Sequence, residues 1–90
     1  MSDNVSIPIS IDWSKDEIVD VVNFYEVIDQ AYKKGVDRNL LITLYRRFKE
    51  VVPGKADEKR DFKEYEEQTN QSPYLVMKKA RETDAEVIKM

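Results

Sequence analysis

Cysteine and histidine are both absent from this chain of 90 residues. Without cysteine there is no disulfide, no thiolate nucleophile and no thiolate metal site, a composition that suits a reducing cytoplasm. Without histidine the chain lacks the one unperturbed side chain that titrates near neutrality, and with it the commonest general base and metal ligand. An enzyme made from these residues would depend on carboxylates, lysines, tyrosines or serines tuned by burial, and no spacing suggests such a site. Neither enzymatic activity nor a cofactor is expected. No apolar run approaches membrane-spanning length, and the first residues lack the basic flank and continuous apolar stretch of a signal peptide. The expectation is a soluble cytoplasmic protein with no membrane contact. Glycine and proline are scarce too, at two and three residues, so each carries weight as punctuation.

What is present is 41% apolar and 37% charged residues, enough of the first for one small core and of the second for a well-solvated surface. A single domain over residues 1–90 follows. The net charge of −3 is unevenly spread. Residues 1–32 carry one lysine and seven acids, for −6; residues 33–60 carry nine bases and four acids, for +5. Residues 61–90 carry five bases and seven acids, for −2. A basic middle between acidic ends is either a surface for anions or the counterpart of an acidic first helix. Pairing within the fold is the simpler reading.

Val5, Ile7, Ile9 and Ile11 alternate with Ser6, Pro8 and Ser10 at the period of an extended strand. Pro8 cannot donate to a ladder, so residues 1–12 are read as an extended arm that lays its isoleucines over the helices. Strand addition to a partner or to a second copy is the alternative. Ser14 and Glu17 have the capping-box spacing, with Trp13 and Ile18 at the hydrophobic-staple positions. The helix they open ends at Lys33-Lys34, cations at its negative end, and stops at Gly35. Ile18, Val21, Val22, Phe24, Tyr25, Val27, Ile28, Ala31 and Tyr32 share one wide arc of it. An arc that wide has to meet more than one neighbour, which makes this the central helix.

Asp37 caps a second helix that ends at Pro53-Gly54. Its stripe is Leu40, Leu41, Leu44, Tyr45, Phe48, Val51 and Val52. A third helix, Ala56 to Thr69, has a narrow stripe of Phe62, Tyr65 and Thr69 and belongs on the surface. Asn70-Gln71-Ser72-Pro73 breaks the chain and restarts it, with Ser72 as cap and Pro73 at the first helical position. Tyr74, Met77 and Ala80 then face inward. Thr83 and Glu86 repeat the capping-box spacing, which predicts a short terminal helix carrying Val87 and Ile88.

The candidate binding surface is the set of cations Arg46, Arg47, Lys49, Lys55, Lys59, Arg60 and Lys63. Clustered cations are what phosphates need, and single strands add a demand for exposed aromatic surfaces. The helical wheel separates Arg46, Arg47 and Lys49, and Tyr45 and Phe48 fall on the buried side, so the second helix alone is a poor phosphate reader. Only a fold that brings Lys59, Arg60 and Lys63 alongside would change that. Arg47 and Lys49 flank the apolar stripe, where long stems cover apolar surface and keep the charge wet. Asp20 and Asp29, at the margins of the first helix's arc, would want Arg47 and Arg38 as partners if buried. The acids of the third helix alternate with Lys59, Arg60 and Lys63 and read as an ion-paired, solvated face, not a metal site.

Pro8-Ile9, Trp13-Ser14 with Glu17-Ile18, Phe24-Tyr25, Ala31-Tyr32, Gly35, and Leu44-Tyr45-Arg46-Arg47-Phe48-Lys49 with Val52-Pro53 and Lys55 form a pattern along nearly the whole chain. In these residues the sequence resembles uncharacterised protein family 0223, small cytoplasmic proteins of low-GC Gram-positive bacteria. Members tend to have Tyr-Pro where this chain has Ile7-Pro8. The resemblance implies a compact all-helical array and a bacterial cytoplasmic setting, and it implies no activity.

The combined reading is an all-α array of four to five helices around a long first helix, monomeric or weakly dimeric. As function it gives a non-enzymatic interaction protein that binds another macromolecule, with a protein as the expected partner. Binding of nucleic acid or ribonucleoprotein through the basic segment 33–63 is the alternative.

Overall fold

Ser14 opens the first helix through both halves of a capping box. The Glu17 amide donates to Ser14 Oγ at 3.2 Å, and the Ser14 amide donates to Glu17 Oε1 at 2.8 Å. The helix so begun, α1 (Lys15–Lys33), is the longest element of the computed structural model, which describes residues 9–90. It buries Val21, Phe24, Tyr25, Val27, Ile28 and Ala31. Gly35 ends it at a φ of 94°, in the left-handed region, with its amide donating to the Gln30 carbonyl at 2.8 Å. A β-carbon at Gly35 would stand 2.9 Å from Val87 Cγ1, so both backbone and space require glycine there.

Beyond the glycine come β1 (Val36–Asp37) and α2 (Arg38–Val51), whose first turn is capped by Asp37 accepting from the Leu40 amide at 3.0 Å. Pro53-Gly54 separates α2 from α3 (Lys55–Thr69). Asn70, at a φ of 59°, closes α3, and Ser72 caps α4 (Pro73–Glu82) by accepting from the Leu75 amide. The last element is β2 (Val87–Ile88). The fold is all-α with one short antiparallel bridge, in which Val36 pairs with Ile88 and Asp37 with Val87.

Aromatic rings fill the core. α1 and α2 form the most extensive helix pair. Phe24 stacks on Phe48 at 4.7 Å between ring centres, and Phe62 of α3 stacks on both, at 5.9 and 5.6 Å. Tyr25 reaches Tyr65 of α3 at 4.7 Å. Rings of this size bridge α1 to α3 across a gap that aliphatic side chains would leave open. So α3, thin in core residues, is nonetheless anchored by Phe62 and Tyr65, which are 7% and 2% exposed.

Four expectations are corrected. Val87 and Ile88 form a strand, not a terminal helix. Both are β-branched and suit extended backbone, Ile88 is fully buried, and the Met90 amide donates to the Ala31 carbonyl at 2.9 Å. Thr83 Oγ accepts instead from the Ala85 amide, in a local turn. Leu40 lies about 100° around the helix from Leu41 and outside the arc that α1 covers, so it is exposed while Leu41 is buried. Tyr74 points outward, 56% exposed, because the inward seam of α4 runs through Val76, Met77 and Ala80. At the start, Ser10 accepts from the Trp13 amide through its carbonyl and from the Asp12 amide through its side chain. That turn sends Ile11 into solvent, 99% exposed, in place of laying it over the helices. Val5, Ile7 and Pro8 lie outside the described residues. Trp13 is half-buried against the core.

Candidate functional site

The site takes shape where α2 passes over the start of α3. Tyr45 and Lys49, one helical turn apart on α2, both reach Glu58 on α3. The Tyr45 hydroxyl donates to Glu58 Oε2 at 2.7 Å, and Lys49 Nζ donates to Glu58 Oε1 at 2.7 Å. Lys49 also reaches the Pro53 carbonyl at 3.3 Å, so one ammonium ties together α2, the turn and α3. Burial, with the Glu58 carboxylate second, pushes the Tyr45 phenol up to about 12. It therefore stays protonated as a donor.

This clamp forms one end of a cleft of about 710 Å³ between α2, α3 and α4. Lys55, Lys59 and Lys63 line it from α3, four residues apart and so about 6 Å apart in rise. Arg81 faces them from α4, Phe62 and Tyr45 supply aromatic surface within, and the exposed Tyr74 ring stands at the α4 side. Glu66 and Ser72 complete the polar lining. Ser72 is committed locally, since its Oγ caps α4 and its amide donates to the Tyr32 hydroxyl at 2.9 Å.

The structure divides the seven cations singled out in the sequence. Lys55, Lys59 and Lys63 come together in the cleft and make no ion pair within 4 Å among the described residues. Lys49 is turned inward to Glu58, and Arg60 is engaged by Asp57 at 3.3 Å and Asp61 at 3.5 Å. Arg47 reaches Asp20 of α1 at 3.9 Å, a long and solvent-exposed contact. Neither it nor Arg46 lines the cleft. Of the nine cations in residues 33–60, Lys33 and Arg47 pair with acids of α1 and Lys49 and Arg60 with acids of α3, while the other five make no ion pair among the described residues.

Asp29 has Lys33 at 3.1 Å and Gln71 at 2.9 Å as partners, while Arg38 donates to the Ala80 carbonyl at 2.7 Å. Burial raises the Asp29 carboxyl, but the Gln71 hydrogen bond and the Lys33 ammonium outweigh it and hold the group below its ordinary value. Asp61 goes the other way, pushed up chiefly by burial against the pull of Arg60. Among the described residues no three carboxylates converge as an oxygen cage for a cation. What the cleft can do is hold an anionic ligand that also has an apolar part.

Sequence reasoning missed Arg81 and Tyr74 as members of this surface. The signal was there, since seven residues separate them and two helical turns bring such a pair back to one face. What hid it was the assignment of Tyr74 to the core. Glu58 was unreadable as a clamp because its two partners belong to another helix.

The comparison with known proteins covers the whole of this architecture. The model of the uncharacterised protein family UPF0223 matches residues 4–89. The chain is 52% identical over 83 residues to the UPF0223 protein YktA of Bacillus subtilis strain 168, spanning 92% of this chain and 94% of that one. It is 49% identical over 83 residues to a UPF0223 protein of Oceanobacillus iheyensis, with the same coverage. A UPF0223 protein of Lysinibacillus sphaericus strain C3-41 is 49% identical over 86 residues, 94% of this chain and 90% of its own. Matched along nearly its full length by the family and by these bacterial relatives, the chain belongs to UPF0223.

Proposed function

We propose that this protein is a non-enzymatic interaction protein of the bacterial cytoplasm, which binds another protein through the cleft between α2, α3 and α4. The observation that carries the proposal is the contrast among its cations. Lys33, Arg47, Lys49 and Arg60 each have an acidic partner, whereas Lys55, Lys59, Lys63 and Arg81 stand around aromatic surface with no ion pair among the described residues. Unpaired charge at the rim of an apolar cleft is a pattern of interfaces, where a buried apolar centre is ringed by polar groups. The non-enzymatic part is supported by how the cleft's polar side chains are used. Tyr45 and Glu58 are bonded to each other, and Ser72 is a helix cap. No nucleophile is thereby set against a free base. The cytoplasmic setting is taken over from the family resemblance.

The test is a pull-down of the tagged protein from bacterial cytoplasm, with and without nuclease, beside a Lys55→Glu, Lys59→Glu, Lys63→Glu variant. Nuclease-resistant enrichment of one or two proteins that the variant loses is the expected result. A second reading, single-stranded nucleic acid, is favoured by the lysine row together with the exposed Tyr74 ring, a surface on which a base could stack. It predicts instead enrichment that vanishes with nuclease and falls steeply with salt.

A further inference from the structure

We infer that the occupant of this cleft is a short acidic peptide segment of the partner, carrying an aromatic or large aliphatic side chain between its carboxylates. The inference rests on the protein-binding reading above and adds the chemistry that would be recognised. Four cations line the cleft against two acids, and one of those acids, Glu58, is already taken by Lys49 and Tyr45. The local field is therefore positive. The rest of the chain reverses it, to a net charge of −3.

That contrast selects for length. At physiological salt, attraction between exposed charges reaches about 8 Å, so a ligand gains from the cleft only along the stretch that lies in it. A nucleic-acid strand extending past Lys63 would meet Glu66, exposed on the same face of α3. A peptide with three or four carboxylates stops before that repulsion begins.

Spacing also fits. The lysines repeat about every 6 Å along α3, and alternate side chains of an extended peptide repeat on one face at about 6.6–6.8 Å. Carboxylates at every second position would then meet Lys55, Lys59 and Lys63 in turn. The apolar side chain between them points to the opposite face of the peptide, where it has the exposed ring of Tyr74 on α4 to pack on. Arg81, across the cleft, can pair with a carboxylate in a planar two-point contact.

The experiment is fluorescence anisotropy with labelled synthetic probes of one length on the intact protein. The probes are a peptide alternating aspartate with phenylalanine and serine, its asparagine counterpart, its counterpart with phenylalanine replaced by serine, and oligothymidylate. The acidic, phenylalanine-bearing peptide should bind best. The asparagine peptide should bind about tenfold more weakly, the scale of three solvent-exposed ion pairs. Lys59→Gln with Lys63→Gln should weaken the acidic peptide but not alter helicity, and Arg46→Glu should leave its binding unchanged. Tighter binding of oligothymidylate than of the acidic peptide would overturn the inference in favour of nucleic acid. Equal binding of the asparagine peptide would overturn it as well. So would concentration-dependent self-association of the protein that the double glutamine variant abolishes, since the occupant would then be a second copy. If no peptide binds while the cleft-dependent protein capture persists, the inference fails and the protein-binding reading stands. If the capture is also absent, both fail.

Discussion

Replacing Tyr25 by phenylalanine is expected to stabilise the protein, and to do so more strongly at alkaline pH. Tyr25 is 1% exposed, with its ring against Phe24, Phe48 and Tyr65. Its hydroxyl is buried and finds no hydrogen-bond partner among the described residues. A buried polar group without a partner costs about 1–3 kcal/mol. Removing the one oxygen leaves the ring contacts in place, so Tyr25→Phe should gain about 1 kcal/mol near pH 7. Alkali adds a second effect. Burial, and after it the Asp61 carboxylate, pushes the phenol far above its ordinary value of 10.0. The native state thus keeps a proton that the unfolded chain releases. The tyrosine's contribution is complete below the unfolded value and is lost as the pH rises past it, by about 1.4 kcal/mol per pH unit. Phenylalanine has no proton to lose. The gap between the two proteins should widen from about 1 kcal/mol at pH 7 to about 2.5 kcal/mol at pH 11. Urea denaturation followed by circular dichroism at four pH values measures it directly, and the titration of lysines common to both proteins cancels in the difference. A variant less stable than the parent at pH 7 would show that the hydroxyl is bonded. A gap that stays constant with pH would show that the phenol ionises freely in the folded state.

Trp13→Ala should cost about 2 kcal/mol, less than the 3–5 typical of a fully buried ring, since Trp13 only half-buries its side chain against the core; an unchanged urea midpoint would remove it from the packing. Gly35→Ala should cost about 1–2 kcal/mol in left-handed strain alone, with more from the contact at Val87, and amide exchange should quicken at Val36 and Ile88 before it does in α2. Asp29, held below its ordinary value of 3.8, contributes stability that is present above that value and is lost as the pH falls through the lower folded one. Asp29→Asn should therefore be less stable than the parent at pH 6 and draw level with it by pH 2, as thermal midpoints across that range will show.

The ends of the four helices were legible because their chemistry is short-ranged, although the same spacing at Thr83 and Glu86 opens no helix. Ser14 and Glu17, Asp37 with the Leu40 amide, and Ser72 with the Leu75 amide each act across three residues, and the structure places all of them as the spacing predicts. The apolar arc of α1 was equally plain, since one helix carrying that many apolar residues on one side has to be central. Legibility failed where two faces competed. Leu40 and Leu41 are neighbours, and only the position of α1 decides which is buried. Tyr74 is apolar enough to be read as core and polar enough to stand in water, and nothing within α4 chooses between them.

By itself, the sequence determined the ends of α1 to α4, the central place of α1, the aromatic core and the absence of thiol and imidazole chemistry, all properties of residue type and of contacts within a few positions. The tertiary structure alone decided that Val87 and Ile88 would pair as a strand with β1, because a strand exists only through a partner elsewhere in the chain. It also decided that Lys49 would be bound by Glu58 while Lys55, Lys59 and Lys63 were left to face Arg81 across a cleft. Charge counts carry no information on which side chains meet, and the strength of a charge at close range depends on its neighbours and its access to water.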